Sequence, residues 1–370
     1  MGLNFACRPV RDYMYSIITE LFERFDVDGV SMDFNRHPTF FRREESYQNR
    51  YLMTDLVRRV RKRMKEVSAK RGRDLELAVR VPPTIADSTR IGLDVREWID
   101  EGLVDIVVAG KGSIPFEMPI REFVEAAEGT GISVYGCIEG LKPVIDENPI
   151  RALAARMWRA GAGVYLYNYF TLPAEWKRRM LPQLADPAKL AKLDKRYEID
   201  HTDRMAYGGH GGTFRNSVPA AQIPVVLEET LTGQGPILRM DIADDVETAS
   251  ADGSLGRCTL GILLDNFTPL DEIEVRINGE VYPWSSGRTA YLPWPDVGVA
   301  GFPMMAGKRS IQFDLDCPPL RQGENEVEVR FSSYGPRGYG DKYSAHKGHE
   351  WNKPAVLIGV EITITYSKDL

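Results

Sequence analysis

Cysteine is scarce in this sequence, and the few cysteines present lie far apart. They are Cys7, Cys137, Cys258 and Cys317. No two of them form the CxxC pair of a zinc ribbon, and their wide separation argues against a disulfide framework. We therefore expect buried thiols rather than a zinc site or a network of disulfides.

Long apolar runs and targeting signals are also missing. No stretch approaches the roughly 18 apolar residues that a membrane-spanning helix needs. Residues 1–9 lack the charged and apolar regions of a signal peptide. We expect no membrane partner. Localisation stays open, and a cytoplasmic protein is expected only if Met1 is the genuine start.

A strong excess of one charge is absent as well. Lys and Arg total 47 against 53 Asp and Glu, which gives a formal net charge of −6. This balance provides no overall attraction to nucleic acid, and we expect no such partner. The arginine-rich stretch from Arg58 to Arg73 is interpreted as the solvated side of an amphipathic helix. A length of 370 residues and 43% hydrophobic content suit two globular domains.

Residues 1–185 alternate short apolar strands with amphipathic helices, of which the first carries Tyr13, Ile17, Leu21 and Phe25 at helical spacing. Five strands are predicted, at Val27–Phe34, Leu75–Val81, Val104–Ala109, Ile132–Glu139 and Gly163–Tyr169. Their nearly continuous apolar character is typical of strands buried on both faces of a parallel sheet. The expected fold of this part is α/β, a partial (β/α)₈ barrel.

The pattern changes after residue 185. Residues 186–222 are polar and glycine-rich, and a linker is favoured there over a binding loop. Residues 223–370 carry short alternating strands, which indicates an antiparallel β-sandwich domain. Asn278-Gly279 lies between two such strands and predicts a two-residue hairpin.

Two carboxylates lie where predicted strands end. In a (β/α)₈ barrel these ends converge on one mouth, and Asp33 and Glu139 would stand there with Tyr167 and Asn168 at the tip of the fifth strand. Glycosidases need one carboxyl group to protonate the leaving oxygen and a second as nucleophile or base. Expected sugar-binding residues are Asn35, Arg36, His37, Arg80, Lys111, Tyr135 and Asn168.

Each of these residues has a structural alternative. Asp33 could cap the next segment or pair with Arg36, and Glu139 could form a loop-end salt bridge. Arg80 lies inside an apolar strand, where an unpaired charge is too costly, so it must have a partner such as Asp33 or Glu139. His37 has no second His or Cys near it, so no metal is expected, and we expect no cofactor.

The segment FDVDGVSMDFNRHP at residues 25–38 resembles a strand motif of the uncharacterised family-10-like glycosyl hydrolases, bacterial proteins with a glycosidase barrel. Residues 4–13 are similar to the stretch that precedes the motif in that family, and the resemblance covers roughly residues 1–175. It implies that the five strands are the fourth to eighth of a barrel. Asp33 and Glu139 would then end the fourth and seventh strands, where many retaining glycosidases carry the acid/base and the nucleophile.

Two departures from related patterns limit what the resemblance implies. The large retaining clan places Asn-Glu at the fourth strand, whereas this chain has Met32-Asp33. Asn35 stands where the chitinase-type motif has its catalytic Glu, which argues against chitinase chemistry in its usual form. Five parallel strands would also leave two open edges, so we expect a missing N-terminal segment or a partner chain to complete the barrel.

The sequence therefore favours a hydrolase acting on a poly- or oligosaccharide, with Asp33 as general acid/base and Glu139 as nucleophile or second carboxylate. Arg and Lys among the expected sugar contacts suggest an acidic sugar. A non-catalytic carbohydrate-binding protein is the alternative, with sugar stacking on the sandwich aromatics Trp284, Tyr291, Trp294 and Trp351. A structural module, in which the sandwich covers an edge of the barrel, is a third possibility.

Overall fold

The structure is a computed structural model, and it describes residues 2–35, 39–110, 118–139, 147–170, 175–199, 222–227, 233–267, 271–291, 307–316, 319–333 and 354–367. The chain divides into two compact units. The first comprises residues 1–145, 157–185 and 204–220, and the second comprises residues 146–156, 186–203 and 221–370. The expected boundary at residue 185 matches one of several points at which the chain passes from one unit to the other. Residues 146–156, which lie before that boundary, also group with the second unit.

The first unit is a mixed α/β structure built on a five-stranded parallel sheet. Its strands are β1 (Gly29–Asp33), β2 (Glu76–Val81), β3 (Ile106–Ala109), β4 (Ser133–Glu139) and β5 (Gly163–Tyr167). Helices precede, separate and follow them along the chain: α1 (Arg8–Arg24), α2 (Arg50–Arg71), α3 (Ile85–Arg90), α4 (Val95–Asp100), α5 (Arg121–Ala127), α6 (Glu147–Arg159) and α7 (Glu175–Leu184). Residues 147–156 of α6 group with the second unit. The order in the sheet is β1-β2-β3-β4-β5, with every pair parallel. The prediction of five parallel strands is confirmed, whereas a closed barrel is not shown.

Helix α2 accounts for the arginine-rich stretch. Its guanidinium groups pair with carboxylates of neighbouring elements, as in Arg61 with Asp105 and Arg58 with Glu101. The helix buries its apolar residues, among them Met53 and Val60, and ends at Gly72 in the left-handed conformation with φ 71°. The basic stretch is thus the polar side of an amphipathic helix, as interpreted from the sequence.

The second unit consists of antiparallel sheets. Its strands are β6 (Lys195–Glu198), β7 (Val225–Val226), β8 (Ile237–Ile242), β9 (Leu255–Phe267), β10 (Glu272–Ile277), β11 (Glu280–Tyr282), β12 (Gly287–Tyr291), β13 (Gly307–Asp314), β14 (Gly323–Ser333) and β15 (Val356–Tyr366). Two short helices accompany them, α8 (Pro187–Ala191) and α9 (Val246–Ala251). One sheet has the order β11-β10-β14-β8, and the other has the order β12-β13-β9-β15-β6 with β7 paired to β15.

Both sheets of the second unit contribute to one core. Val275 and Val327 from the first sheet and Leu260 and Ile362 from the second belong to the same buried cluster. The predicted hairpin is confirmed, since Ile277 pairs with Glu280 and both Asn278 and Gly279 have positive φ. Antiparallel sheets were expected here, and the structure has them.

The expected linker contains regular structure at its start. Asp186 accepts hydrogen bonds from the first backbone N–H groups of α8, and Pro187 occupies its first turn. Strand β6 then pairs with β15. Its Lys195 side chain is buried and donates to Asp244 at 2.7 Å. Three of the four residues of this strand are charged, so it does not stand out from the polar, glycine-rich sequence that predicts a linker.

Candidate functional site

The carboxyl ends of β1 and β2 hold an ion pair between a buried arginine and a partly exposed aspartate. Asp33 and Arg80 are directly paired in the sheet register. Arg80 donates from Nε to Asp33 Oδ1 at 3.1 Å and from Nη2 to Oδ2 at 2.8 Å. The arginine side chain is 4% exposed and the aspartate side chain is 38% exposed. The expected structural partner of Arg80 is therefore Asp33, which holds the guanidinium with both of its oxygens.

Arg80 also lies over the ring of a tyrosine on β5, at the opposite edge of the sheet. Its guanidinium carbon is 3.8 Å from the centroid of the Tyr167 ring on β5. Strands β3 and β4 lie between β2 and β5, which in a flat sheet with a spacing of about 4.8 Å would separate the two backbones by roughly 14 Å. The contact thus indicates that the sheet curves toward the face that carries Asp33, Arg80 and Tyr167.

Electrostatic influences on Arg80 oppose one another. Burial disfavours the charged guanidinium and lowers its pKa. The hydrogen bond to Asp33 and the nearby Cys137, Asp33 and Tyr167 groups favour the charge, and their combined effect outweighs burial, so the pKa of Arg80 lies above its ordinary value. The arginine is therefore a permanent cation whose charge is matched within the site.

Asn35 ties the ends of three strands together. Its backbone N–H donates to Asp33 Oδ1 at 2.8 Å. Its Nδ2 donates to the carbonyl oxygen of Val81 at 2.6 Å and to that of Gly110. Gly110 has φ 137°, and a Cβ placed there would lie 2.7 Å from Cβ of Cys137, so a glycine is required at this position.

Two buried polar atoms at these strand ends have no hydrogen-bond partner within the described part of the chain. They are Nη1 of Arg80 and Oδ1 of Asn35, whose residues are 3% and 9% exposed. Buried polar atoms are nearly always paired in folded proteins. Two such atoms at the ends of neighbouring strands make this a candidate position for a ligand or for bound water.

The register also relates Glu139 to this group. The Cα partner of Glu139 is Tyr167 on β5, just as the Cα partner of Asp33 is Arg80 on β2. The Arg80–Tyr167 contact thus joins the backbone neighbours of the two candidate carboxylates. The side chain of Glu139 lies outside the described residues, as do Arg36, His37 and Lys111.

Two further predicted residues have different positions. Tyr135 is four residues before the end of β4, and its ring lies 2.6 Å from the position that a Cβ on Gly163 would occupy. It lines a groove of about 600 Å³ with Trp158 and Arg121, at the amino ends of β4 and β5. Through Val108, the sheet register places Tyr135 level with Arg80. Asn168 directly follows β5 in the left-handed conformation, with φ 49°.

Sequence reasoning missed two side chains at this face. Cys137 on β4 is buried, and its electrostatic effect raises the pKa of both Arg80 and Tyr165. Tyr165 on β5 is 36% exposed, and burial, followed by the neighbouring Cys137, raises its pKa although Arg80 lowers it. Alternation along the strands offered the signal, because positions 137 and 139, and positions 165 and 167, share a face.

The sandwich aromatics are only partly described. Trp284 is partly buried against the core, with its ring centroid 5.7 Å from that of Phe267. This contact favours core packing over an exposed sugar platform. The side chain of Tyr291 and the residues Trp294 and Trp351 lie outside the described residues.

The described ranges contain no group of three or more His, Cys, Asp or Glu side chains that could hold a metal ion. No helix in the same ranges is both long enough and apolar enough to span a bilayer.

Comparisons with known proteins add little. No family model matches the chain, and no curated protein matches it. Among solved structures, the chain is similar to a cycloisomaltooligosaccharide glucanotransferase from Paenibacillus sp. in complex with cycloisomaltoheptaose, with a TM-score of 0.27 and 8% identity. The match covers 96% of this chain and 38% of the enzyme, so this chain spans about two fifths of that enzyme's length. A likeness at this TM-score carries no argument about fold or activity.

Proposed function

We propose that this chain is a glycoside hydrolase that acts on a poly- or oligosaccharide, with Asp33 and Glu139 as its carboxylate pair. The observation that carries the proposal is the contact between Arg80 and Tyr167. It joins the direct backbone neighbours of the two acidic residues across the sheet. Two carboxyl groups facing each other across a sugar ring are what glycosidic hydrolysis requires.

The proposal includes a fold. Five parallel strands whose spatial order follows the chain order, in a sheet that curves toward its polar face, correspond to an arc of a (β/α)₈ barrel. Among the described strands, β1 pairs only with β2 and β5 pairs only with β4. Further β/α units, from the same polypeptide or from a partner chain, would pair with these edges and supply the rest of the cleft.

Hydrogen bonding to Asp33 favours a division of roles that differs from the sequence-based one. Both oxygens of Asp33 accept hydrogen bonds from Arg80, and Oδ1 also accepts from the backbone N–H of Asn35. A carboxylate engaged in this way is suited to act as an anion, that is, as nucleophile or base. Glu139 is then the acid that protonates the leaving oxygen.

A turnover assay tests the proposal. The chain is incubated with a panel of polysaccharides, and the release of reducing ends is measured. Asp33→Asn and Glu139→Gln are each expected to lower turnover by roughly 10² to 10⁴-fold, because each removes one of the two groups that act at the glycosidic bond. The matched control is Asp100→Asn, which changes an exposed carboxylate of α4 that pairs with Arg96.

The control variant should keep the parent's turnover, and circular dichroism should show that all three variants retain the fold. Full activity in either strand-end variant would remove that residue from the mechanism. No product with any polysaccharide, at enzyme concentrations that give clear glycan binding, would contradict hydrolysis. That result would favour the second candidate, a non-catalytic carbohydrate-binding protein, which the unpartnered atoms of Arg80 and Asn35 would also suit.

A further inference from the structure

The two unpartnered atoms at the strand ends differ in hydrogen-bonding character. Nη1 of Arg80 can only donate, and Oδ1 of Asn35 can only accept. Leaving either one buried and unsatisfied is unfavourable. A sugar hydroxyl both accepts and donates, so hydroxyl groups can satisfy both atoms. A carboxylate or a sulfate ester can accept from Arg80 but has no proton to give to Asn35, so the position beside Asn35 in particular requires a hydroxyl.

The charges at these strand ends also disfavour an anionic ligand. The positive charge of Arg80 is held by both oxygens of Asp33, so this pair leaves no net positive charge to attract an acid. Asp33 keeps 38% of its side chain exposed, and an anionic group placed beside it would be repelled.

Aromatic surface completes the group. Tyr167 has one side of its ring covered by Arg80, and Tyr165, two residues earlier on β5, keeps 36% of its surface exposed. A tyrosine ring offers an apolar face together with a polar hydroxyl. Such a ring suits the apolar C–H face of an uncharged pyranose.

We propose that Arg80 Nη1 and Asn35 Oδ1 form a subsite for hydroxyl groups of a neutral sugar. The sequence suggested an acidic sugar from the presence of arginine and lysine, but the guanidinium of Arg80 is already neutralised by Asp33. This inference rests on the proposed function, because it requires a carbohydrate at these strand ends. It specifies that the carbohydrate bound by the proposed hydrolase is neutral.

Binding to matched pairs of oligosaccharides tests this subsite. Oligogalactosides are compared with oligogalacturonides, and oligoglucosides with oligoglucuronides, by calorimetry at 20 and 500 mM NaCl. In at least one pair, the neutral member is expected to bind about tenfold more tightly or better, with a Kd that salt leaves nearly unchanged. Tighter binding of the acidic members, or binding of none of the neutral ones, would overturn the inference.

A pair of arginine variants locates the binding. Arg80→Lys keeps a cation for Asp33 but removes Nη1, and it is expected to weaken neutral-sugar binding by roughly 10- to 100-fold. The control is Arg61→Lys. Arg61 also binds an aspartate with two nitrogens, Asp105 at 2.7 and 2.5 Å, but at the amino end of β3. Its variant should bind like the parent, and equal affinity for Arg80→Lys would refute the subsite.

The outcomes separate this inference from the proposed function. Hydrolysis of acidic sugars with no preference for neutral ones would leave the hydrolase in place and remove the subsite. Tight binding of neutral sugars without hydrolysis would keep the subsite and remove the hydrolase. If Arg80→Lys does not fold, the preference and the salt dependence of the unmodified chain still decide between a neutral and an acidic ligand.

Discussion

Arg80 and Lys195 are both buried cations, and comparing them shows what distinguishes a structural charge from a binding one. The ammonium of Lys195 donates to the carbonyl oxygens of Ala191 and Leu193 and to Asp244. Every proton of this lysine is used, so its role is to connect α8, β6 and the end of β8. Arg80 keeps one nitrogen that no described residue accepts from. This difference, and not burial itself, is why the ends of β1 and β2 are the candidate ligand position.

Glu122 on α5 provides a pH-dependent prediction. Burial raises the pKa of its carboxyl group above the ordinary 4.5; the backbone N–H of Ile85 opposes this shift, and the charge of Asp87 adds to it. Because the folded pKa exceeds the unfolded one, the contribution to stability is fully present below about pH 4.5 and is lost as pH rises through the raised folded pKa. Glu122→Gln keeps an acceptor for Ile85 and removes the charge.

The Glu122→Gln variant should therefore have a higher Tm than the parent at pH 7, and the difference should shrink toward zero below about pH 4.5. Thermal unfolding followed between pH 3.5 and 8 measures it. Glu125→Gln is the control, because Glu125 is exposed on the same helix. A Tm gain for Glu122→Gln that stays constant with pH would contradict the account.

At the scale of elements, apolar periodicity located the five parallel strands because strands buried on both faces are apolar throughout. The ends of β1, β3 and β5 lie within two residues of the predicted ones. Periodicity did not predict which face of a helix is buried against neighbouring elements. In α1, the regularly spaced Ile17 and Leu21 are 38% and 45% exposed, whereas Phe22 is fully buried. That outcome depends on which surfaces the neighbouring elements cover, and a single helix does not carry this information.

The contrast within α1 gives a prediction about stability. Phe22→Ala is expected to lower the free energy of unfolding by about 3–5 kcal/mol, because it leaves a cavity in place of a fully buried ring. Leu21→Ala removes a side chain that is 45% exposed and should change it by less than about 0.5 kcal/mol. Urea unfolding measures both variants. Equal losses in the free energy of unfolding would mean that the helix face carrying Ile17 and Leu21 is covered by another surface in solution.

At the scale of the whole molecule, the order of α/β and antiparallel parts followed from the change in hydrophobic pattern. The assignment of residues to the two units did not, since residues 146–156 and 186–203 group with the antiparallel unit. Long-range pairings such as β6 with β15 are set by tertiary contacts that no local pattern contains. The candidate site shows a related limit: strand ends gave Asp33, Asn35 and Arg80, whereas Tyr165 and Cys137 lie inside their strands, where only the alternation of faces pointed to them.

The central claim is that Asp33 and Glu139 act on one glycosidic bond from a shared cleft. A crystal structure with a bound oligosaccharide tests it most directly, through the distance between the carboxyl groups of the two residues. The account predicts both groups at one sugar, separated by about 5–5.5 Å if the anomeric configuration is retained or by roughly 6.5–9.5 Å if it is inverted. Carboxyl groups on opposite faces of the sheet, or a sugar bound away from both, would contradict it.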